Sequence, residues 1–350
     1  MTWITVVVWD HVGNVLWGVR PWDEWTLQIQ ARLLAEDPDA VAHAPSLEQI
    51  FEDYQLDLRQ VKTVDELAAA IGDADVLILH KETVPPDVLR RGGRLRLIQH
   101  LGLDYRGIPI ETARELGVPV AATPLVNYLA VAEHTWALIL NYIKQLPGQR
   151  ALMQARGYGD SWGGFPNIGL ARDMTLGLLG FGEIARPVAR IAQAFEMRTI
   201  YWDITRFEQL EAQYGVEYVV WDELFRRADV VSIHLALNER TQGIIGAHEI
   251  GLMKPAALFV NTARGKLVDQ AALVEALRAR RIGGAALDVF AEEPLPPDDP
   301  LHELHERQKY NVTLTPHSAW QSPWTWVRDS HVIWLNVIRL LRGEPIEYLV

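Results

Sequence analysis

The sequence predicts an α/β protein of two domains, each built on a parallel sheet. Three observations carry this. Apolar runs of strand length alternate with amphipathic runs of helix length along most of the chain, the pattern of parallel strands joined by helical crossovers. The chain has 350 residues, nearly half of them apolar, which suits two cores better than one. The segment 175–203, TLGLLGFGEIARPVARIAQAFEMRTIYWD, reads as strand, glycine turn, helix and second strand.

Within that segment the run 175–179 is long enough for one buried strand, and Gly180-Phe181-Gly182 turns the chain. A helix follows with Ile184, Val188, Ala189, Ile191, Ala192 and Phe195 on one face, and a second apolar run ends on Asp203. The glycines fall where the pyrophosphate of a dinucleotide must approach. Gly180 permits the turn, Gly182 leaves room for phosphate, and Ala185 is small enough for the helix to pack on the strand. The helix N-terminus offers free N–H groups and partial positive charge. Pro187 falls in the first turn, where its missing N–H costs little. Asp203 is placed to accept hydrogen bonds from an adenosine ribose. A glycine turn that merely joins strand to helix is the plain alternative. The agreement of strand, turn, helix and terminal acid favours the dinucleotide.

Upstream, residues 4–8 read as a buried strand. Residues 22–60 are polar and irregular, with helical stretches near 24–35 and 46–53. Then come a helix at 67–71, a strand at 76–79, a helix at 84–89 and a strand at 95–99 leading into Leu101-Gly102-Leu103-Asp104. A helix at 110–116, closed by Gly117, precedes a strand at 118–121. Asn127 is the expected cap of a long helix over 128–146, ended by Pro147-Gly148. Residues 148–174, with Trp162 and Phe165, read as a projecting arm or extended loop.

Downstream, strands are predicted at 217–220, 229–235, 257–261, 284–288 and 312–315, and helices at 207–213, 222–227, 247–253 and 270–280. The final helix, 325–342, carries Trp326, Val327, Ile333, Trp334, Val337, Ile338 and Leu341. That apolar stripe needs a partner, and the first domain is the expected one.

The charge balance, 33 basic against 45 acidic side chains and a net −12, argues against nucleic acid, whose phosphates call for clustered Lys and Arg. There is no cysteine, so disulfides, thiolate nucleophiles and cysteine metal sites are excluded. The N-terminal MTWITVVVWD reads as a first strand rather than a signal, and no apolar run is long enough to span a membrane. The expected compartment is the cytoplasm.

Three later strands end in polar residues with a plausible task, at the sheet edge where open α/β sheets place ligands. Asn261-Thr262-Ala263-Arg264-Gly265 sets an arginine next to a glycine, suited to gripping a carboxylate with two parallel hydrogen bonds, or else an ordinary surface ion pair. Asp288-Val289-Phe290-Ala291-Glu292-Glu293-Pro294 alone would read as loop charge. Thr315-Pro316-His317 ends on a histidine, which with a glutamate in reach can act as general acid or base.

Taken together, these segments resemble the D-isomer-specific 2-hydroxyacid dehydrogenases from about residue 60 to the C-terminus. The matching stretches are Gly177 to Ala185, Asn261 to Gly265, Asp288-Val289-Phe290 with Glu293-Pro294, Thr315-Pro316-His317, and Val131-Ala132-Glu133-His134 in the family's domain-crossing helix. The resemblance implies two Rossmann-like or flavodoxin-like domains with the active site in the cleft between them. Residues 1–122 with 319–350 would form the substrate domain and 123–318 the NAD domain.

It implies a catalytic trio of Arg264, Glu293 and His317, and NAD held by Gly180, Phe181, Gly182, Glu183, Ile184, Asp203, His234, Thr241, Thr262, Ala263, Asp288 and His317, with Asp288 against the nicotinamide. Substrate would meet Leu103, Asp104, Asn127 and Arg264, with no metal. A cation for its carboxylate is also expected from His80 or Lys81, where strand 76–79 ends, with a solvated loop pair as the plain alternative. The implied activity interconverts a 2-oxo acid and a D-2-hydroxy acid, and the arm would embrace a second subunit in a homodimer. The alternative is a non-enzymatic NAD sensor, since TPHSAW is also similar to corepressors built on this fold. Two features depart from the pattern. The family's Gly-x-Gly substrate loop reads Gly102-Leu103-Asp104, and the first 60 residues are longer and richer in tryptophan. Glu293 argues against the formate dehydrogenase branch, which has glutamine in that role.

Overall fold

The structure is a computed structural model that describes residues 3–9, 55–80, 82–102, 105–123, 127–155, 169–307 and 311–350. The chain divides into two compact units, residues 1–127 with 322–350, and residues 128–321.

Among the described residues the first unit holds five parallel strands, β1 (Trp3–Trp9), β2 (Gln55–Val61), β3 (Val76–Leu79), β4 (Leu97–His100) and β5 (Val120–Ala122), in the order β2-β1-β3-β4-β5. This is the flavodoxin-like order of a doubly wound sheet. The central strands are near-continuous apolar runs because both faces are covered. Val7, Trp9, Leu77 and Leu79 pack with Leu67, Ile71, Val88 and Leu89 on one face. Ile4, Val6, Val8, Val76 and Ile78 pack on the other with Ile333, Trp334 and Val337 of the final helix, Pro323–Arg342. The C-terminal stripe thus finds its partner on this sheet. The side chains of Trp326 and Val327 lie outside those described.

Strand β2 corrects the reading of residues 22–60 as irregular. Leu56 and Leu58 alternate with Asp57 and Arg59, the pattern of an edge strand with one covered face, and the two leucines pack against the cluster of Ile4 and Trp334. Arg59 also bonds Asp57 and Asp73, which holds the polar face. The helices expected at 24–35 and 46–53 lie outside the described residues.

The second unit holds seven parallel strands: β6 (Thr175–Leu179), β7 (Arg198–Trp202), β8 (Val216–Tyr218), β9 (Val230–Ile233), β10 (Leu258–Asn261), β11 (Gly284–Leu287) and β12 (Val312–Leu314). Their order is β12-β11-β10-β9-β6-β7-β8. Strand order reverses at the β6/β9 pair, and crevices for ligands open at the carboxyl ends beside such a switch point.

One face is covered by the helices Tyr128–Ile143 and Ala185–Ala194, whose Trp136, Ile139, Val188 and Ala192 pack on Leu176, Leu178, Leu258 and Val260. The other is covered by Phe225, Ile250, Leu273 and Leu277 from three further helices. The long helix stops at Ile143, short of the expected 146, where Gln145 takes a left-handed φ of 54°. Pro147-Gly148 do not end it. They lie in the first turn of a new helix, Leu146–Gln154, where proline's missing N–H is harmless. Residues 148–154 are therefore helical rather than loop, and Trp162 and Phe165 lie outside the described residues. Among the described residues no helix is long and apolar enough to cross a membrane.

Candidate active site

The glycine turn lies at the carboxyl end of β6, beside the switch point. Gly180 has φ +92°, and a Cβ there would stand 2.7 Å from the His234 carbonyl oxygen, so both backbone shape and space demand glycine. A Cβ on Gly182 would meet nothing within 4 Å. That open space faces the start of the helix Ala185–Ala194, whose ladder opens with the Arg186 N–H donating to the Gly182 carbonyl. The first N–H groups of a helix have no partner within it and suit phosphate oxygens. Glu183, exposed beside this anion site, has its charge offset by Arg186 at 2.7 Å.

Asp203 at the end of β7 turns back on the turn. One carboxylate oxygen accepts from the Phe181 N–H at 2.8 Å and the other from the Thr205 N–H at 3.2 Å. A carboxylate has about four lone-pair sites, so two such bonds fix its orientation and leave capacity for ribose hydroxyls. Arg206 is committed elsewhere, with Nε 2.8 Å from Glu211, Nη1 3.4 Å from Glu208, and its guanidinium over the Tyr218 ring. The Phe181 ring is fully buried against Tyr201, 4.6 Å between centroids, so both its ring and its N–H are engaged within the protein. The open glycine cradle, the helix start and the oriented acid fit a dinucleotide.

The three later motifs follow β10, β11 and β12, consecutive neighbours in the sheet. Buried Asn261 shapes the first. Its amide donates to the Arg264 carbonyl at 3.0 Å and its oxygen accepts from the Ala263 N–H at 3.0 Å. Gly265 makes the next loop fit, because a Cβ there would fall inside the Phe290 carbonyl group. Arg264 is exposed, and its Nη1 donates to the Ala263 carbonyl. No carboxylate among the described residues pairs with it.

In the second loop Glu293 accepts from the Phe290 N–H through one oxygen at 3.0 Å, and its other oxygen lies 2.6 Å from His317 Nδ1. Gln270 holds the same loop by accepting from the Ala291 N–H at 3.1 Å. His317 has a left-handed φ of +51°. Its N–H donates to the Asp288 carbonyl at 2.8 Å, and its carbonyl accepts from Trp320 Nε1 at 2.9 Å.

A profile of the D-isomer-specific 2-hydroxyacid dehydrogenases, NAD-binding domain, matches residues 136–319, more than half of the chain. The chain belongs to that family. It is 35% identical over 305 residues to a glyoxylate reductase of Korarchaeum cryptofilum, covering 85% of this chain and 90% of that one. It is 37% identical over 296 residues to a glyoxylate reductase of Aeropyrum pernix, covering 82% and 86%. Among solved structures it is similar to the TT0316 protein of Thermus thermophilus, with a TM-score of 0.77, 29% identity, and coverage of 99% and 100%. The protein is thus an NAD-dependent 2-hydroxyacid dehydrogenase.

Other implied site residues of this dehydrogenase take varied positions. Asp288 was expected against the nicotinamide. Its carboxylate is fully buried and faces the His317 segment, taking hydrogen bonds from the Thr315 hydroxyl and the N–H groups of Ser318 and Ala319. Thr262 is buried with its hydroxyl on Thr135, 3.0 Å away. His234 bonds Ser232 at 2.9 Å, and desolvation pushes its imidazole down to about 3. The Thr241 hydroxyl closes its own loop onto the Ala236 carbonyl at 2.7 Å. Asn127 is half-buried at the residue before the long helix, and Lys81, Leu103 and Asp104 lie outside the described residues.

Sequence reasoning gave no role to Thr315, Gln270 or the pair His134-Thr135, though each is tied to one of the three strand-end loops. A signal existed for the last of these, since three adjacent polar residues, Glu133-His134-Thr135, interrupt a mostly apolar helical run.

Proposed function

We propose that this dehydrogenase reduces a small 2-oxo acid of the glyoxylate or hydroxypyruvate size, giving a D-2-hydroxy acid where the product is chiral, with His317 as the proton donor. The observation that carries this is the 2.6 Å contact of Glu293 with His317 Nδ1, beside the loop of Arg264, whose guanidinium pairs with no carboxylate among the described residues. Ionised Glu293 only accepts, so Nδ1 carries a hydrogen and Nε2 is the nitrogen left to exchange a proton with substrate. Arg264 grips the carboxylate of the oxo acid through two N–H groups. NADH, when bound, supplies the hydride to the carbonyl carbon. His317 delivers its Nε2 proton to the carbonyl oxygen, and Glu293 stabilises the imidazolium before transfer.

The named activity of the relatives, glyoxylate reductase, supports the substrate size. Steady-state oxidation of NADH with glyoxylate, pyruvate, hydroxypyruvate and 2-oxoisocaproate tests the reading. The highest kcat/KM is expected for one of the first three, and no turnover with any of them overturns it.

We also propose a cytoplasmic homodimer. Leu146 and Met153 of the short helix are 48% and 60% exposed, and Leu170, within the 148–174 stretch read as an arm, is 55% exposed, an apolar surface suited to a second copy. Sedimentation at micromolar concentration is expected to show the dimer mass. A monomer there overturns this part.

A further inference from the structure

We propose that His134 is a positioning residue for the proton transfer, acting on His317 through Thr315 and Asp288. The proposal rests on the reading of His317 as the general acid. The Thr315 hydroxyl has a single hydrogen, and that hydrogen goes to buried Asp288 Oδ1. His134 Nε2 lies 3.1 Å from the same hydroxyl oxygen, so His134 must be the donor in that bond and carries its hydrogen on Nε2. Asp288 in turn accepts from the Ser318 N–H at 3.0 Å and the Ala319 N–H at 2.9 Å, and its carbonyl takes the His317 N–H at 2.8 Å. Those three N–H groups bracket the left-handed backbone of His317, a conformation that costs a non-glycine residue about 1 kcal/mol or more and relaxes unless its surroundings hold it.

The chain His134–Thr315–Asp288 therefore ends on the backbone that aims the catalytic imidazole. His134 Nε2 is also 3.7 Å from the buried Asp288 carboxylate, the one basic side chain within 4 Å of it among the described residues. The neighbouring Thr135 makes the parallel link. It donates to the Val131 carbonyl at 2.8 Å, so the Thr262 hydroxyl donates to it at 3.0 Å and ties down the loop of Arg264. Two adjacent residues of one helix thus brace the two loops that hold acid and guanidinium.

The test compares His134→Leu, His134→Gln and Thr315→Val with the unmodified enzyme and with His317→Ala. His134→Leu and Thr315→Val are expected to lower kcat about tenfold to a hundredfold, the scale of a misplaced catalytic group. KM for the oxo acid and Kd for NADH are expected to stay within about twofold, and the solvent deuterium isotope effect on kcat to rise. His134→Gln, which keeps an N–H donor, is expected to recover most of the loss. The double variant is expected to be no slower than Thr315→Val alone. Unchanged kcat in His134→Leu, equal losses in Leu and Gln, or a fall in Tm with kcat per folded molecule intact each overturns the positioning role. His317→Ala separates the two readings. If it keeps full turnover, the assignment of the acid fails. If it is inactive while His134→Leu is normal, only the proposal for His134 fails.

Discussion

Glu293 Oε2 lies 2.6 Å from Nδ1 of His317, and in the proposed mechanism this contact leaves Nε2 as the ring nitrogen that exchanges a proton. His317→Ala is expected to leave NADH binding, read by nucleotide fluorescence, nearly unchanged and to lower kcat by about 10²-fold or more, the usual scale for a general acid. Normal turnover in the variant would remove His317 from the mechanism.

Arg264→Lys is expected to be far from conservative. Lysine keeps the charge but loses the planar fork, and no neighbouring acid among the described residues would hold it in place. kcat/KM for the oxo acid should fall by about tenfold or more, mainly through KM if the grip on the carboxylate is the same in ground and transition states. Equal efficiency in the two proteins would show that the guanidinium does not touch substrate.

A preference for NADH over NADPH is expected from Asp203. Its carboxylate is oriented by the Phe181 and Thr205 N–H groups and would repel a 2′-phosphate, while Arg206 is held by Glu208 and Glu211. Asp203→Ala should narrow the gap between the cofactors by strengthening NADPH binding and weakening NADH binding. Tighter binding of NADPH than NADH by the unmodified enzyme would contradict this account.

His234 gives a pH dependence of stability. Desolvation lowers its folded-state pKa from the ordinary 6.5 to about 3. Below 6.5 the unfolded chain takes up a proton that the folded chain refuses, so its contribution to stability is present above that pH and is lost as pH falls toward 3. The loss should approach, at most, about 1.4 kcal/mol per pH unit from this one group. Urea unfolding at pH 7 and pH 5 should therefore show a steeper acid loss for the native sequence than for His234→Gln. Parallel losses would mean that the imidazole is not kept neutral by the fold.

Gly265→Ala should cost about 1–3 kcal/mol, as for other forced overpacking, because its methyl would press on the Phe290 backbone. The same push moves the loop of Glu293, so kcat should fall beyond what the loss of folded protein explains. A variant with native Tm and native kcat would show that the two loops do not nest.

The sequence by itself determined the α/β class, the glycine turn with Asp203 and the three strand-end motifs. Each of these is local. A buried strand in a parallel sheet must be a continuous apolar run, and a turn against phosphate must have glycine, so both leave marks in neighbouring residues. It missed β2, where alternation on a half-covered edge strand gives a weaker signal than a run buried on both faces. It also placed the end of the long helix at Pro147, although proline is as much at home in a first turn as beyond a last one.

Tertiary structure alone decided other partnerships across long separations: Gly265 under Phe290, Asp288 turned onto the His317 segment, and His134 on Thr315 across 181 positions of sequence. The physical reason is that a hydrogen bond selects its partner by where the sheet order brings strand ends together. Nothing in the residues adjacent to Asp288 records whether its carboxylate will face a cofactor or the backbone of a neighbouring loop.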